Sequence, residues 1–154
     1  MTSARPVVAA LRRLGQTVAA AESLTAGLVT ATLTEVPGAS AVVRGGLVVY
    51  ATDLKATLAG VDPALLAEHG AVHPEVAAQL AEGARERCGA DWGLGLTGVA
   101  GPDSQDGVCP GTVYIGVAGP GCRDVRTVRF DGDRDAVRRA SVTAALDLLG
   151  EHLT

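Results

Sequence analysis

Short apolar segments alternate with segments of helical spacing along this chain, and that alternation restricts the fold more than any other feature. An apolar run of about four to eight residues, bounded by polar residues or glycine, is typical of a buried strand. Apolar residues that recur every three or four positions are typical of a helix that covers a sheet. The predicted strands are 17–21, 46–50, 91–97, 111–118 and 123–130, and the predicted helices are 6–14, 24–35, 53–59, 62–69, 74–88 and 133–149.

This order of elements also predicts how the strands pair. Two strands joined through a helix form a crossover, and crossovers produce parallel pairs that need helices on both faces. The turn Gly119-Pro120-Gly121 instead joins the last two strands into a hairpin. The length of 154 residues suits one domain. The sequence therefore predicts a single α/β domain over residues 1–154, a three-layer α/β/α fold with a mixed, mostly parallel sheet.

Charge and hydropathy exclude several classes of partner. The chain has 17 acidic and 13 basic residues, a formal charge of −4 at pH 7, which opposes the positive surface that holds a nucleic-acid backbone. No apolar run approaches the roughly 20 residues of a membrane-spanning helix, and the first residues do not have the pattern of a secretory leader. We therefore expect a cytoplasmic protein that binds neither nucleic acid nor a membrane.

The cysteines and histidines predict neither a disulfide framework nor a metal site. The three cysteines include no Cys-x-x-Cys pair, and an odd number argues for reduced thiols. His69 and His73 are four residues apart, but Gly70 and Pro74 interrupt any helix that would carry both. No cysteine or carboxylate stands beside them at the spacing of zinc ligands, so no metal is expected.

Ser23 is the first candidate for chemistry. It stands where a predicted strand ends and a predicted helix begins, so its hydroxyl is expected near unpaired N–H groups and the positive end of the helix dipole. Such a place suits an anion or an oxyanion. A serine at a helix start is more often a simple cap, which contributes about 0.5–2 kcal/mol. Ser23 taken alone is better interpreted as a cap.

Lys55 is the second candidate because the other 12 cationic residues are all arginine. A desolvated lysine can lose its proton and then deprotonate a serine, which arginine cannot do. A solvated surface lysine is the alternative, and the sequence leaves both open. Tyr50, at the end of a predicted strand, could stack on a ring or relay a proton, or could be a half-buried strand residue.

A glycine-rich segment and an arginine group complete the candidates. Gly93–Gly98 matches Gly-x-Gly-x-x-Gly but lies within a predicted strand, so a dinucleotide site is not expected. Thr97–Pro102 places small residues at a strand end, where open α/β sheets bind ligands, although a plain turn has the same pattern. Arg134, Arg138 and Arg139 could reach a phosphate, but adjacent aspartates favour a solvated, internally paired helix face.

Several segments together resemble one known family. They are ESLTAGL (22–28), VPGAS (36–40), the stretch from Gly45-Gly46 through Tyr50 to Lys55, HGAV (69–72), AEGAR (81–85), TGVAGP (97–102) and GTVYI (111–115). In this order, within residues 5–149, they resemble the C-terminal domain of the competence/damage-inducible CinA proteins. Larger members carry an additional N-terminal domain, and this chain resembles the stand-alone form.

The resemblance implies a nicotinamide mononucleotide deamidase, an amidohydrolase of pyridine nucleotide salvage that releases nicotinate mononucleotide and ammonia. It implies Ser23 as nucleophile, Lys55 as its base and Tyr50 nearby, with no cofactor or metal, and a homodimer. The alternatives are a non-catalytic nucleotide- or partner-binding module and an amidase for another small amide. The residues expected to bind the substrate are Thr25, Ala26, Gly27, Gly46, Thr97, Gly98 and Gly101.

Three departures from the family pattern bear on these expectations. Ala26 stands where many relatives have a second glycine, and His73 replaces the serine that commonly caps the following helix. The loop that often reads Glu-Lys-Pro-Val is here Asp-Gly-Val-Cys-Pro (106–110), without its lysine. If that lysine helps to bind the nucleotide phosphate, affinity or substrate choice must differ.

Overall fold

A computed structural model describes residues 4–154, and in this part of the chain six α-helices cover a five-stranded sheet. The strands are β1 (Val18–Glu22), β2 (Val43–Val48), β3 (Trp92–Gly98), β4 (Thr112–Gly119) and β5 (Cys122–Arg129). The helices are α1 (Ala4–Leu14), α2 (Leu28–Thr34), α3 (Thr52–Thr57), α4 (Pro63–His69), α5 (Pro74–Cys88) and α6 (Arg134–His152), with a short 3₁₀ helix at Ala39–Ala41.

The sheet is mixed, as the sequence predicts. Its strand order is β2-β1-β3-β4-β5, with β1 parallel to β2 and β3, and β4 antiparallel to β3 and β5. Four strands therefore run in one direction and β4 runs against them. The Gly119-Pro120-Gly121 turn closes the predicted hairpin, where Gly119 pairs with Cys122.

Two apolar layers hold helices on both faces of the sheet, which confirms the three-layer architecture. On one face α1, α2 and α6 bury leucine and valine side chains such as Leu11, Leu33 and Leu146. On the other face α5 packs directly on the central strands through Val76 and Leu80. Burial of apolar surface on both faces, at about 25 cal/mol per Å², is the main force that holds the layers together.

The glycine-rich motif of β3 is explained by this packing. A Cβ atom at Gly93 would overlap the carbonyl oxygen of Ala81, and one at Gly95 would overlap that of Ala77. Both carbonyls belong to α5, so these glycines allow the helix backbone to lie against the strand. The motif therefore serves helix packing, in agreement with the prediction that it is not a dinucleotide site.

Two element boundaries differ from the sequence prediction in places that matter for function. Helix α2 begins at Leu28 and not at Leu24, so the residues after Ser23 form a turn. Strand β2 ends at Val48, so Tyr50 lies in the connection to α3 and not at the strand end. Both differences place more irregular backbone at the carboxyl edge of the sheet than the periodicity predicts.

Candidate active site

The carboxyl ends of the three parallel strands β1, β2 and β3 meet at one edge of the sheet. Backbone hydrogen bonds tie the segments that follow: Ser23 N donates to Leu96 O at 3.0 Å and Val49 N donates to Glu22 O at 2.9 Å. A cleft of about 320 Å³ opens there, within the range of about 300–1,000 Å³ typical of small-molecule sites. Its wall consists of Ser23, Leu24, Tyr50, Arg134 and the loop residues 98–105.

Ser23 lines this cleft and is not a helix cap. The residue is 7% exposed. Its hydroxyl makes no hydrogen bond within residues 4–154, whereas a capping serine would accept one from a backbone N–H of the helix. The interpretation of Ser23 as a cap is therefore wrong, because the helix starts five residues later. The hydroxyl is free to contact a ligand in the cleft.

Glu22 performs the capping role instead, and the sequence prediction missed it. One carboxylate oxygen accepts from the N–H groups of Gly27 (3.1 Å) and Val29 (2.9 Å), and the other accepts from the N–H (3.0 Å) and hydroxyl (2.8 Å) of Thr30. Glu22 is fully buried, so these four bonds replace its hydration. The sequence signal was an acidic residue that ends an otherwise apolar strand.

This capping has a consequence for oxyanion binding. The first N–H groups of α2 are occupied by Glu22, so they cannot stabilise an oxyanion as the sequence interpretation supposed. The N–H groups of Leu24 and Thr25 make no hydrogen bond with any described residue. These two amides, directly after Ser23, are the donors that remain available at the turn.

Lys55 is buried, which excludes the solvated surface lysine that the sequence left open as an alternative. It lies on α3, is 1% exposed, and its Nζ donates to Val49 O at 2.9 Å and to Tyr50 O at 3.1 Å. Burial lowers its pKa from 10.5 to about 8, and the carboxylate of Asp106 partly opposes this change. A neutral amine would use its two N–H groups for these carbonyls and keep one lone pair.

No hydrogen bond joins Lys55 Nζ to Ser23 Oγ among the described residues. The backbone of Val49 and Tyr50 lies between the two elements, since Val49 N is bonded to the residue before Ser23 and Val49 O to Lys55. The structure thus brings both residues to one edge of the sheet without joining them directly. Hydrogen bonds of catalytic groups are often long in an unliganded site and tighten with substrate.

Arg134 lies in the cleft, which corrects the prediction of a solvated arginine face on the last helix. Its Nη1 donates to Gly101 O at 2.7 Å, and its Nη2 donates to the Tyr50 hydroxyl at 3.0 Å. Arg138 donates to Leu24 O at 2.8 Å, so it fastens the Ser23 turn. Only Arg139 pairs with an aspartate on its own helix as predicted. The neighbouring aspartates suggested that all three arginines form ion pairs in solvent. Folding instead brings α6 to the carboxyl edge of the sheet, where Arg134 and Arg138 donate to other segments.

The residues predicted to bind substrate fall into two groups. Gly98 and Gly101 line the cleft, whereas Thr25, Ala26, Gly27, Gly46 and Thr97 do not.

The residues of the second group are not part of the cleft wall, and four of them have other structural features. The Thr97 hydroxyl donates to Ala71 O at 2.7 Å, and a Cβ at Gly46 would overlap the Thr30 side chain. Ala26 has a φ of 47°, in the left-handed region that favours glycine. The hydroxyl of Thr25 is buried with no hydrogen-bond partner among the described residues. Contact of these residues with substrate stays a prediction.

The departure at His73 has a clear structural outcome. His73 caps α5, because its Nδ1 accepts from Glu75 N at 3.1 Å, so it does replace a capping serine. The rings of His69 and His73 stack with centroids 4.4 Å apart.

Within residues 4–154, no group of three or more histidine, cysteine, aspartate or glutamate residues is arranged to hold a metal ion. In the same range, no helix is both long and apolar enough to span a membrane.

Comparison with known proteins decides the family. The sequence model of the protein family described as the CinA C-terminal domain matches residues 1–153. This chain belongs to the CinA C-terminal domain family. A "CinA-like protein" of Frankia casuarinae is 50% identical over 143 residues, which are 93% of this chain and 33% of that protein. A "CinA-like protein" of Gloeobacter violaceus is 47% identical over 151 residues, 96% of this chain and 35% of that protein.

Solved CinA structures agree with the fold. The competence/damage inducible protein CihA of Agrobacterium tumefaciens superposes with a TM-score of 0.91 at 35% identity, covering 96% of this chain and 91% of that chain. A CinA superfamily protein of Klebsiella pneumoniae gives a TM-score of 0.94 at 31% identity, with 98% and 95% coverage. The chain spans about a third of the length of the curated relatives described above, so what those whole proteins do does not transfer to it directly.

Proposed function

We propose that this chain is an amidohydrolase that converts nicotinamide mononucleotide to nicotinate mononucleotide and ammonia. The observation that carries the proposal is Lys55, a buried lysine with a pKa of about 8 at the edge of the sheet where Ser23 lines a cleft. A lysine of this pKa is partly neutral near pH 7 to 8, as a general base must be. The identity of the amide rests on the resemblance to CinA deamidases.

The proposed reaction uses Ser23 as nucleophile. Lys55 takes the hydroxyl proton, and Ser23 Oγ attacks the carboxamide carbon to give a tetrahedral oxyanion. The free N–H groups of Leu24 and Thr25 are the candidates to stabilise it. The C–N bond then breaks, the leaving nitrogen takes a proton from Lys55, and ammonia departs. Water, deprotonated by Lys55, hydrolyses the remaining ester and restores the Ser23 hydroxyl.

Arg134 is the proposed anchor for the nucleotide phosphate. It is the one cationic residue among those described as lining the cleft, and its guanidinium already holds two neutral oxygens, the Tyr50 hydroxyl and Gly101 O. A phosphate would add the attraction between opposite charges and could accept two parallel N–H bonds from the guanidinium, which the two separate neutral oxygens do not offer. Arg134 would then do the work of the lysine that the loop 106–110 lacks.

Mass spectrometry of a nicotinamide mononucleotide incubation tests the proposal. We expect product with the parent chain and none with Ser23→Ala. Lys55→Arg should be as inactive as Lys55→Ala, because arginine keeps the charge but cannot act as the base. Near-parental turnover by Ser23→Ala or Lys55→Arg would refute the mechanism. Thr34→Ala, on the exposed end of α2, is the matched control and should retain full activity.

A second substrate tests the role of Arg134. Nicotinamide riboside has the same amide without the phosphate. Arg134→Ala should raise the KM for the nucleotide and leave the turnover of the riboside unchanged, and equal effects on both substrates would contradict phosphate binding.

A nucleotide-binding module without turnover is the second candidate function, and it is favoured by the absence of a hydrogen bond between Ser23 and Lys55. Saturable binding of the nucleotide, with no product from the parent chain or any variant, would support this second function.

The proposed enzyme is cytoplasmic and a homodimer. Light scattering that shows only monomer at micromolar concentration would contradict the homodimer.

A further inference from the structure

A second group of reactive side chains lies at the opposite end of the sheet from Ser23. Cys122 begins β5 directly after the hairpin turn, and His152 ends α6. Cys122 pairs with Gly119, beside the amino-terminal end of β3, whereas Ser23 follows the carboxyl end of β1. The proposed amidohydrolase does not use this group, so its chemistry needs its own explanation.

Three side chains form a chain of hydrogen bonds there. Cys122 Sγ lies 3.3 Å from His152 Nδ1, and His152 Nε2 lies 3.1 Å from Asp124 Oδ2. An ionised carboxylate only accepts hydrogen bonds, so Nε2 carries a hydrogen. In the neutral ring Nδ1 then has a free lone pair, and the Cys122 thiol donates to it. A nucleophile, a base and an acidic group that orients the base are therefore in sequence, as in cysteine hydrolases.

The resting state of this group is a thiol. Burial, with a smaller contribution from the Asp124 carboxylate, raises the pKa of Cys122. A thiol becomes a strong nucleophile only when its proton is removed, so an unassisted Cys122 would react more slowly than an exposed cysteine. His152 is placed to remove that proton during a reaction, and Asp124 is placed to stabilise the imidazolium that results.

The surroundings of the sulfur restrict the reagent to a small, uncharged molecule. Cys122 forms part of the wall of a cleft of about 100 Å³, which also includes Arg85, Arg123, Glu82 and Glu86. This volume accommodates a reagent of a few heavy atoms. The arginines and glutamates offset one another, and Arg123 is directly paired with Glu82, so the cleft has no strong preference for an anion.

We propose that Cys122 is a modification site, where the Cys122–His152–Asp124 group promotes oxidation of the thiol to a sulfenic acid by small hydroperoxides. The thiol proton moves to His152 Nδ1 and the sulfur pair attacks the terminal oxygen of the peroxide. The O–O bond breaks, and the leaving oxygen takes the proton from His152 as water or alcohol. The sulfur is oxidised by two electrons and the peroxide is reduced by two.

The other two thiols of the chain are internal controls for this proposal. Cys109 is exposed, and Cys88 is partly buried with a raised pKa but makes no hydrogen bond to a histidine among the described residues. In the experiment, the folded protein is treated with hydrogen peroxide at pH 7.4, and samples are stopped at intervals by catalase and by denaturation in the presence of dimedone, which then reaches every cysteine. The rate at which each cysteine becomes oxidised is read from the labelling of its peptide by mass spectrometry. We expect Cys122 to be labelled at least about tenfold faster than Cys109, since general-base assistance contributes about 10²–10⁴-fold.

Two variants distinguish base assistance from simple exposure. His152→Gln should lower the Cys122 rate at least tenfold and leave the Cys109 rate unchanged. Asp124→Asn keeps an acceptor for Nε2–H but removes the charge, and it should lower the Cys122 rate by a smaller factor. Thermal melting checks that both variants are folded. A Cys122 rate equal to or below that of Cys109, or one that His152→Gln does not change, would overturn the proposal.

Discussion

The buried Lys55 should make the stability of the protein depend on pH in a way that one substitution removes. Its folded pKa of about 8 lies below the unfolded value of 10.5. Well below pH 8 both states carry the proton, and the folded state bears the full cost of a desolvated charge. As pH rises from about 8 to 10.5 the folded state loses the proton first, so this cost disappears and the stability contributed by Lys55 rises.

The size of the effect follows from the shift. One pKa unit corresponds to about 1.36 kcal/mol, so the penalty at pH 7 is about 3 kcal/mol. Part of it persists at pH 10, because the unfolded lysine still carries some charge there. The difference in unfolding free energy between the parent and Lys55→Met should therefore change by about 2–3 kcal/mol between pH 7 and pH 10. The variant gains relative to the parent at pH 7, and that gain shrinks at pH 10.

Urea denaturation at both pH values measures this change. The hydrogen bonds to Val49 O and Tyr50 O are lost at every pH and cancel in the comparison. Lys55 is the one lysine of the chain, so Lys55→Met removes every lysine side chain. Leu54→Met, on the same helix, is the control and should show no pH-dependent difference from the parent. A Lys55→Met difference that changes by less than about 0.5 kcal/mol between pH 7 and 10 would refute the desolvation argument.

Three further predictions concern the surroundings of the cleft. Asp106 favours the protonated form of Lys55, so Asp106→Asn should move the midpoint of the pH–activity profile below its parental value near 8, and an unmoved midpoint would contradict the coupling. Ala26→Gly should raise the free energy of unfolding by about 0.5–1 kcal/mol in denaturant titrations, because Ala26 has a φ of 47°; a loss of stability would show that the turn is unstrained. Treatment with EDTA should leave deamidase activity unchanged, and activity that EDTA abolishes and zinc restores would require a metal.

The sequence predicted which segments meet at the cleft better than it predicted the contacts there. Ser23, Tyr50 and the loop from Gly98 to Gly101 follow strand ends, and the carboxyl ends of parallel strands meet at one edge. The sequence favoured a solvated position for Arg134, because its contacts in the cleft are 33 residues away in Gly101 and 84 away in Tyr50. A pattern of neighbouring residues in the sequence cannot reveal contacts between residues that are so far apart along the chain.

Local periodicity and turn residues by themselves determined the elements and the layers of this protein. They identify the strands, the helices and the hairpin, since hydrophobic burial requires a fixed spacing of apolar side chains along each element. The tertiary structure alone decided the electrostatic state of the polar residues. The burial of Lys55, the capping of α2 by Glu22 and the Cys122–His152–Asp124 group each depend on which elements pack together. A pKa or a hydrogen bond is set by neighbours in space, and these neighbours are mostly remote in sequence.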